Sequence, residues 1–153
     1  MTLYAIFLLK STSLMPYRYR VLSVLFLLST ITFLDRVCMN VVSKYVKADL
    51  GLNNEQFGWI LGAFSLAYAL FEIPTGAMGD RSGPRRVLTR VVVWWSAFTA
   101  MTGTATNFLY LLVVRFLFGV GEAGAYPNAS IVIARWFPAV EVGRAQSVIW
   151  AAG

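Results

Sequence analysis

The chain of 153 residues is 58% hydrophobic and 13% charged, about half the charged share of an ordinary soluble domain, which excludes a water-soluble enzyme or binding module. Thirteen Lys and Arg against seven Asp and Glu give a formal net charge of +6. The cations sit at the ends of apolar segments and form no single stripe, so no nucleic-acid partner is expected.

Residues 1–19 read as an N-terminal extension, disordered or interfacial. An apolar run from Leu3 to Leu9 precedes Lys10 and the basic Tyr17-Arg18-Tyr19-Arg20. A secretory leader would carry its charge before the apolar run and a small-residue cleavage site after it. The first membrane-spanning helix is predicted over about 21–42, and it carries Asp35-Arg36 within its apolar run. Cys38 lies in the same segment and, as the single cysteine, can form no internal disulfide. The second span is predicted over about 57–79, with Asn53 as a cap and Glu55 as a first-turn acid. Next comes Gly76-Ala-Met-Gly-Asp80-Arg81-Ser-Gly83-Pro84-Arg85-Arg86, whose Gly, Pro and clustered Arg are expected to end one helix and start another.

A third span follows over about 87–106, with Trp94-Trp95 inside it. A fourth runs over about 109–133 and is closed by Arg135-Trp136-Phe137-Pro138. A fifth helix opens near Gly143. Each of the first four has the roughly 20 residues that cross a bilayer. Lys10, Arg18, Arg20, Arg81, Arg85, Arg86, Arg90, Arg135 and Arg144 fall on one side of this topology, while Lys44 and Lys47 fall on the other. The excess of cations marks the cytoplasmic side and places the N-terminus there, in a plasma or inner membrane.

Gly119-Val-Gly121-Glu-Ala-Gly124 matches a dinucleotide-binding fingerprint. The run stays apolar through Ile133, Pro127 would break the helix that such a motif needs, and no segment alternates strands with amphipathic helices. The glycines are therefore read as sites of close helix packing, as are Gly58 and Gly62 in the second span. Asn128-Ala-Ser130 matches a glycosylation sequon by chance, inside a span. No cofactor and no metal site is predicted.

The chemistry lies in ionisable groups at bilayer depth: Asp35, Arg36, Glu72, Arg115 and Glu122. Each costs roughly 2.5–3.5 kcal/mol at a helix centre on insertion scales. They either form internal ion pairs that fix helix packing or line a polar cavity and contact solute or coupling ions. Arg115 and Glu122 are seven apart, on one face but about 10 Å apart along the axis, so each needs a partner on another helix, in water or in a solute. Two guanidiniums, Arg36 and Arg115, suit forked hydrogen bonding to a carboxylate or phosphate and imply an anionic solute. Asp35 and Glu122 are then the candidates for proton coupling, because there is no histidine and a dehydrated carboxylate responds to solvent access and to neighbouring guanidinium. Tyr68, one turn before Glu72, is expected to add a hydroxyl to the cavity or to pack as an aromatic. Trp94 and Trp95 are expected to face lipid or pack.

With Gly76-x-x-x-Asp80-Arg81-x-Gly83 and the following arginines, the chain resembles the major facilitator superfamily, with Pro84 displacing Arg85 and Arg86 by one position. Leu34-Asp35-Arg36, Phe71-Glu-Ile-Pro-Thr-Gly76, Arg115-Phe-Leu-Phe-Gly-Val-Gly-Glu122-Ala-Gly-Ala-Tyr-Pro127 and Arg135-Trp-Phe-Pro138 resemble the anion:cation symporter family within it. The resemblance implies an all-α membrane fold, with residues 20–153 forming part of the first six-helix lobe, four full helices and the start of a fifth. It implies a secondary transporter with protons and an organic anion such as a sugar acid as partners, and a second lobe outside this chain. By position, Arg36, Arg115 and Tyr68 would bind substrate, and Asp35 and Glu122 would couple protons. Gly76, Asp80, Arg81, Gly83, Arg85 and Arg86 would belong to a cytoplasmic gate. Phe33 stands where many relatives have a Tyr, removing one hydroxyl. Phosphate or sodium coupling, or a non-transporting assembly partner, are the alternatives.

Overall fold

The computed structural model describes residues 2–152, with side chains from Tyr17 onward. Among them the chain forms seven helices and no strand: α1 (Thr2–Val41), α2 (Ser43–Leu50), α3 (Asn54–Ser82), α4 (Pro84–Gly103), α5 (Phe108–Glu122), α6 (Ala125–Trp136) and α7 (Ala139–Trp150). Three segments are long and apolar enough to cross a membrane: Tyr17–Val41, Asn54–Ser82 and Phe108–Trp136. They coincide with the first, second and fourth predicted spans. The third predicted span is present as α4, whose 20 residues correspond to about 30 Å of helix. Arg85, Arg86 and Arg90 in its first two turns lower its apolarity below that of the other three.

Several boundaries differ from expectation, each for a local reason. α1 begins at Thr2, so the predicted extension and the first span share one helix backbone. α2 was not expected; it ends at Gly51, whose φ of 63° lets its N–H close back on the Lys47 carbonyl. Asn53 does cap α3: its side chain accepts from the Gln56 N–H at 2.7 Å while Gln56 returns a bond to the Asn53 N–H at 3.0 Å. α3 then continues through Gly76, Gly79, Asp80 and Arg81 to Ser82, so most of the expected turn is helix. The reversal is confined to Gly83, with φ 86° and ψ 135°, a conformation that side chains with a Cβ rarely adopt. Pro84 follows as the first residue of α4, where its missing N–H costs nothing.

The fourth predicted span is interrupted between α5 and α6 at residues 123–124. Pro127 explains the break, since it has no N–H to donate to the Ala123 carbonyl four residues earlier. Asn128 bridges the irregularity by donating Nδ2 to the Gly124 carbonyl at 2.8 Å and to the Thr75 carbonyl of α3 at 3.2 Å.

The chain divides into two compact units, Leu34–Ile131 and Met1–Phe33 with Val132–Gly153. In the first, α3 and α4 pack on α5. One core cluster joins Met39, Leu52, Phe57, Ile60 and Leu111, and another joins Val87, Val91 and Ala125. Lipid tails are as apolar as Leu, so burial alone drives little helix association there; close backbone approach decides it. Glycines supply that approach. A Cβ on Gly119 would lie 2.5 Å from the Phe64 carbonyl oxygen and 3.1 Å from the Ala67 Cβ, one on Gly121 would collide with the Trp94 ring, and one on Gly79 with the Asn128 amide. Gly119, Gly121 and Gly124 thus serve packing, as read from the sequence. Gly58 and Gly62 do not: an added Cβ meets nothing within 4 Å there. Their expected packing role is not seen among the described residues.

In the second unit, Arg18 pairs with Glu141 at 3.0 Å, Tyr17 stacks on Trp136, and Ser29 Oγ donates to the Ile149 carbonyl at 2.9 Å. These contacts hold the first half of the α1 span to the end of α6 and to α7.

Candidate functional site

α1 delivers Asp35 and Arg36 as neighbours, α5 delivers Arg115 and Glu122 two turns apart, and α3 presents Phe64 and Tyr68 one turn apart. All lie in the Leu34–Ile131 unit. The two α5 charges find partners on α1, not on each other. Arg36 donates both Nε and Nη2 to the same Glu122 oxygen, Oε1, at 2.9 and 2.6 Å. Arg115 donates Nη1 to Asp35 Oδ2 at 3.3 Å. The cluster therefore holds two cations and two anions, in crossed pairs between the same two helices.

The pairs are not equivalent. Glu122 has no exposed side-chain surface, whereas Arg36 is 37% exposed; Arg115 is 8% and Asp35 18% exposed. Because Glu122 uses one oxygen for both bonds, its buried Oε2 has no partner among the described residues, and neither does the buried Nε of Arg115. Unused donor and acceptor capacity is thus held at the centre of the cluster, where a buried polar atom without a partner is costly.

Aromatic rings complete the surroundings. The Arg36 guanidinium lies 4.7 Å from the Tyr68 ring centroid and 5.4 Å from that of Phe64. The Arg115 guanidinium lies 5.2 Å from the ring of Phe118, which is fully buried. Tyr68 therefore meets the cluster with its ring face. A cavity of about 310 Å³ opens beside it, lined by Arg36, Met39, Asn40, Leu61, Phe64, Ser65 and Arg115. Both guanidiniums reach this one space. Asn40 and Ser65 were not singled out in the sequence; the signal was there for Ser65, on the helix face shared by Leu61 and Tyr68.

Glu72, the fifth intramembrane charge, is half-buried and takes no part in the crossed pairs. Trp94 and Trp95 are packed: Trp94 Nε1 donates to the Leu117 carbonyl at 2.9 Å, and Trp95 meets Phe118 edge to face. Asn128 is fully buried, which removes the sequon from any modifying enzyme. Gly76, Asp80, Arg81, Gly83, Arg85 and Arg86 cluster at the α3–α4 reversal, away from the crossed pairs in sequence and in helix position. Asp80, Arg81, Arg85 and Arg86 are exposed and make no ion pair among the described residues. No group of metal-ligating side chains occurs among those residues.

The sequence model of the Major Facilitator Superfamily matches residues 25–153. A protein of Cupriavidus necator named a probable sulfoacetate transporter is 37% identical over 131 residues, covering 86% of this chain and 30% of the relative. A probable L-galactonate transporter of Escherichia coli is 36% identical, covering 88% and 30%, and a probable galactarate/D-glucarate transporter of Pseudomonas putida is 34% identical, covering 86% and 30%. Among solved structures, a bacterial homolog to the human lysosomal transporter Spinster, inward-facing and occupied, superposes with a TM-score of 0.85 at 33% identity, over 90% of this chain and 30% of that one. The chain spans about a third of the length of these relatives.

Proposed function

The chain belongs to the Major Facilitator Superfamily, a family of transporters and not of enzymes, and from that premise we propose that it is the N-terminal part of a proton-coupled symporter for organic anions of the sugar-acid type. The observation that carries this reading is the pair of guanidiniums lining one cavity, each already matched to a carboxylate on the other helix. Names of the relatives support the solute class: they include galactonate, galactarate and glucarate transporters.

The charge balance supports the coupling. With Asp35 and Glu122 ionised the cluster is neutral, and an arriving carboxylate would have to displace an internal one from its arginine. A proton on Glu122 removes that competition and frees Arg36 for the solute, so solute and proton enter together. Asp35 and Arg115 repeat the logic in a second pair, whose carboxylate keeps 18% exposure. Tyr68 holds Arg36 from the ring side and sets where its donors point. The α3–α4 reversal, with Asp80, Arg81, Arg85 and Arg86, faces the cytoplasm in this reading and forms half of a gate whose other half belongs to the second lobe. The membrane is the plasma or inner membrane, and the N-terminus is cytoplasmic.

The test is uptake by the full-length transporter. Labelled galactarate or galactonate should enter on an imposed inward proton gradient, and a sodium gradient should not substitute. Glu122→Gln should abolish gradient-driven uptake yet spare counterflow exchange, because a neutral side chain mimics the protonated state throughout. Loss of both activities, or of neither, would remove Glu122 from the coupling role, and sodium-driven uptake would overturn the proton.

A further inference from the structure

The two arginines of the cavity are donors only, as guanidinium has no acceptor. They can hold a carboxylate, but they cannot receive a hydroxyl proton. Apart from apolar side chains, the remaining lining is Asn40 and Ser65, and each has a donor committed to its own helix. Asn40 Nδ2 donates to the Arg36 carbonyl one turn back in α1 at 3.1 Å. That fixes which end of the amide points at its own helix and leaves Oδ1 without a partner among the described residues. Ser65 gives its single proton to the Leu61 carbonyl at 3.1 Å, so only its lone pairs face outward.

We propose that Asn40 and Ser65 form an acceptor pair that receives solute hydroxyl protons and makes the cavity selective for polyhydroxylated carboxylates over carboxylates with bare carbon chains. The inference rests on the reading of the cavity as an organic-anion site and narrows its substrate class. Its geometry is that of a hydroxy acid: carboxylate oxygens meet Arg36 and Arg115, and acceptors begin one helical turn, about 6 Å, further along α1. Both residues are exposed in this chain, and a bare chain lying over them would replace the water on Asn40 Oδ1 and Ser65 Oγ with methylenes that offer no donor. A site built to bond a hydroxyl rejects the analogue lacking it for that reason. The 37% identical relative named for sulfoacetate, a short anion without hydroxyls, makes the distinction one that overall similarity does not settle.

The experiment uses the purified full-length transporter and two matched probe pairs, galactarate against adipate and D-gluconate against hexanoate, each pair sharing a carbon skeleton. The readout is the ratio of dissociation constants within each pair. The wild type should favour the hydroxylated member by at least about tenfold. Asn40→Leu combined with Ser65→Ala should bring the ratio close to one. Ser65→Thr, which keeps a hydroxyl able to bond the same i−4 carbonyl, should keep most of the preference in the Asn40 background. A wild type that binds a sugar acid no better than its bare analogue, or a double variant that keeps the preference, overturns the acceptor pair and leaves the organic-anion site standing. Failure to bind any of the four probes overturns that site and the acceptor pair with it.

Discussion

Glu122 is fully buried and serves two N–H groups of Arg36 through one oxygen, while the Arg115–Asp35 contact is longer and partly exposed. The two pairs should therefore differ in what their loss does. Arg36→Ala leaves a buried carboxylate with no partner, a change that typically destabilises by about 3–5 kcal/mol. Asp35→Asn keeps an oxygen near the buried Arg115 but removes its counter-charge across a longer contact, and should cost about 1–3 kcal/mol. Thermal unfolding of the two variants of the full-length protein should rank them in that order; equal losses would mean that the crossed pairs share their burden. The charges themselves were legible in the sequence, because ionisable residues within apolar runs are conspicuous. Their pairing was not. Arg36 and Glu122 are 86 residues apart, and only the packing of α1 against α5 decides which acid each arginine meets. Tyr68 was expected to add a hydroxyl to the cavity, but it lies with its ring against Arg36 and is not among the lining residues; that depends on the rotation of α3 about its axis, which periodicity does not give.

Glycine does two different jobs in the helices, and substitution separates them. Gly83 turns α3 into α4 through φ 86°, with nothing within 4 Å of an added Cβ. Gly83→Ala should therefore carry only the backbone cost of a rarely populated region, about 1–3 kcal/mol. Gly119 is ordinary helix, but its Cβ would lie 2.5 Å from the Phe64 carbonyl oxygen. Gly119→Ala should push α5 off α3 at a cost of about 1–3 kcal/mol and disturb the position of Arg115 one turn earlier. Both variants should melt lower in detergent, but only Gly119→Ala should also weaken solute binding; weakened binding by Gly83→Ala alone would reverse the assignment. Apolar runs and caps made the helices readable, and Asn53 capped α3 as expected. Helix ends were harder to place. α3 runs on past Gly79 because Gly, Asp and Arg are tolerated in a final turn when one later residue can make the reversal. The break between α5 and α6 had its signal in Pro127, which removes a donor four residues after the carbonyl it would have served.

At the scale of the whole molecule, two charge sets among the described residues have opposite character. The cavity set is balanced internally, each arginine matched to a carboxylate. The set at the α3–α4 reversal is unbalanced: Asp80, Arg81, Arg85 and Arg86 are exposed and find no counter-charge among the described residues. In the gate reading proposed above, this cluster is the half that faces the second lobe. The sequence showed which loops carry the cations but could not show which cations are satisfied, since that depends on three-dimensional pairing. A gate acts on the equilibrium between conformations and leaves the solute's contacts alone. Asp80→Asn in the full-length transporter should thus lower gradient-driven uptake by about tenfold while solute affinity at the cavity moves by no more than about twofold. Equilibrium binding and initial uptake rates, measured on the same preparation, separate the two effects. If affinity falls in step with uptake, Asp80 acts on the binding site through α3; if neither changes, the unbalanced charges serve only to fix which side of the membrane the reversal occupies.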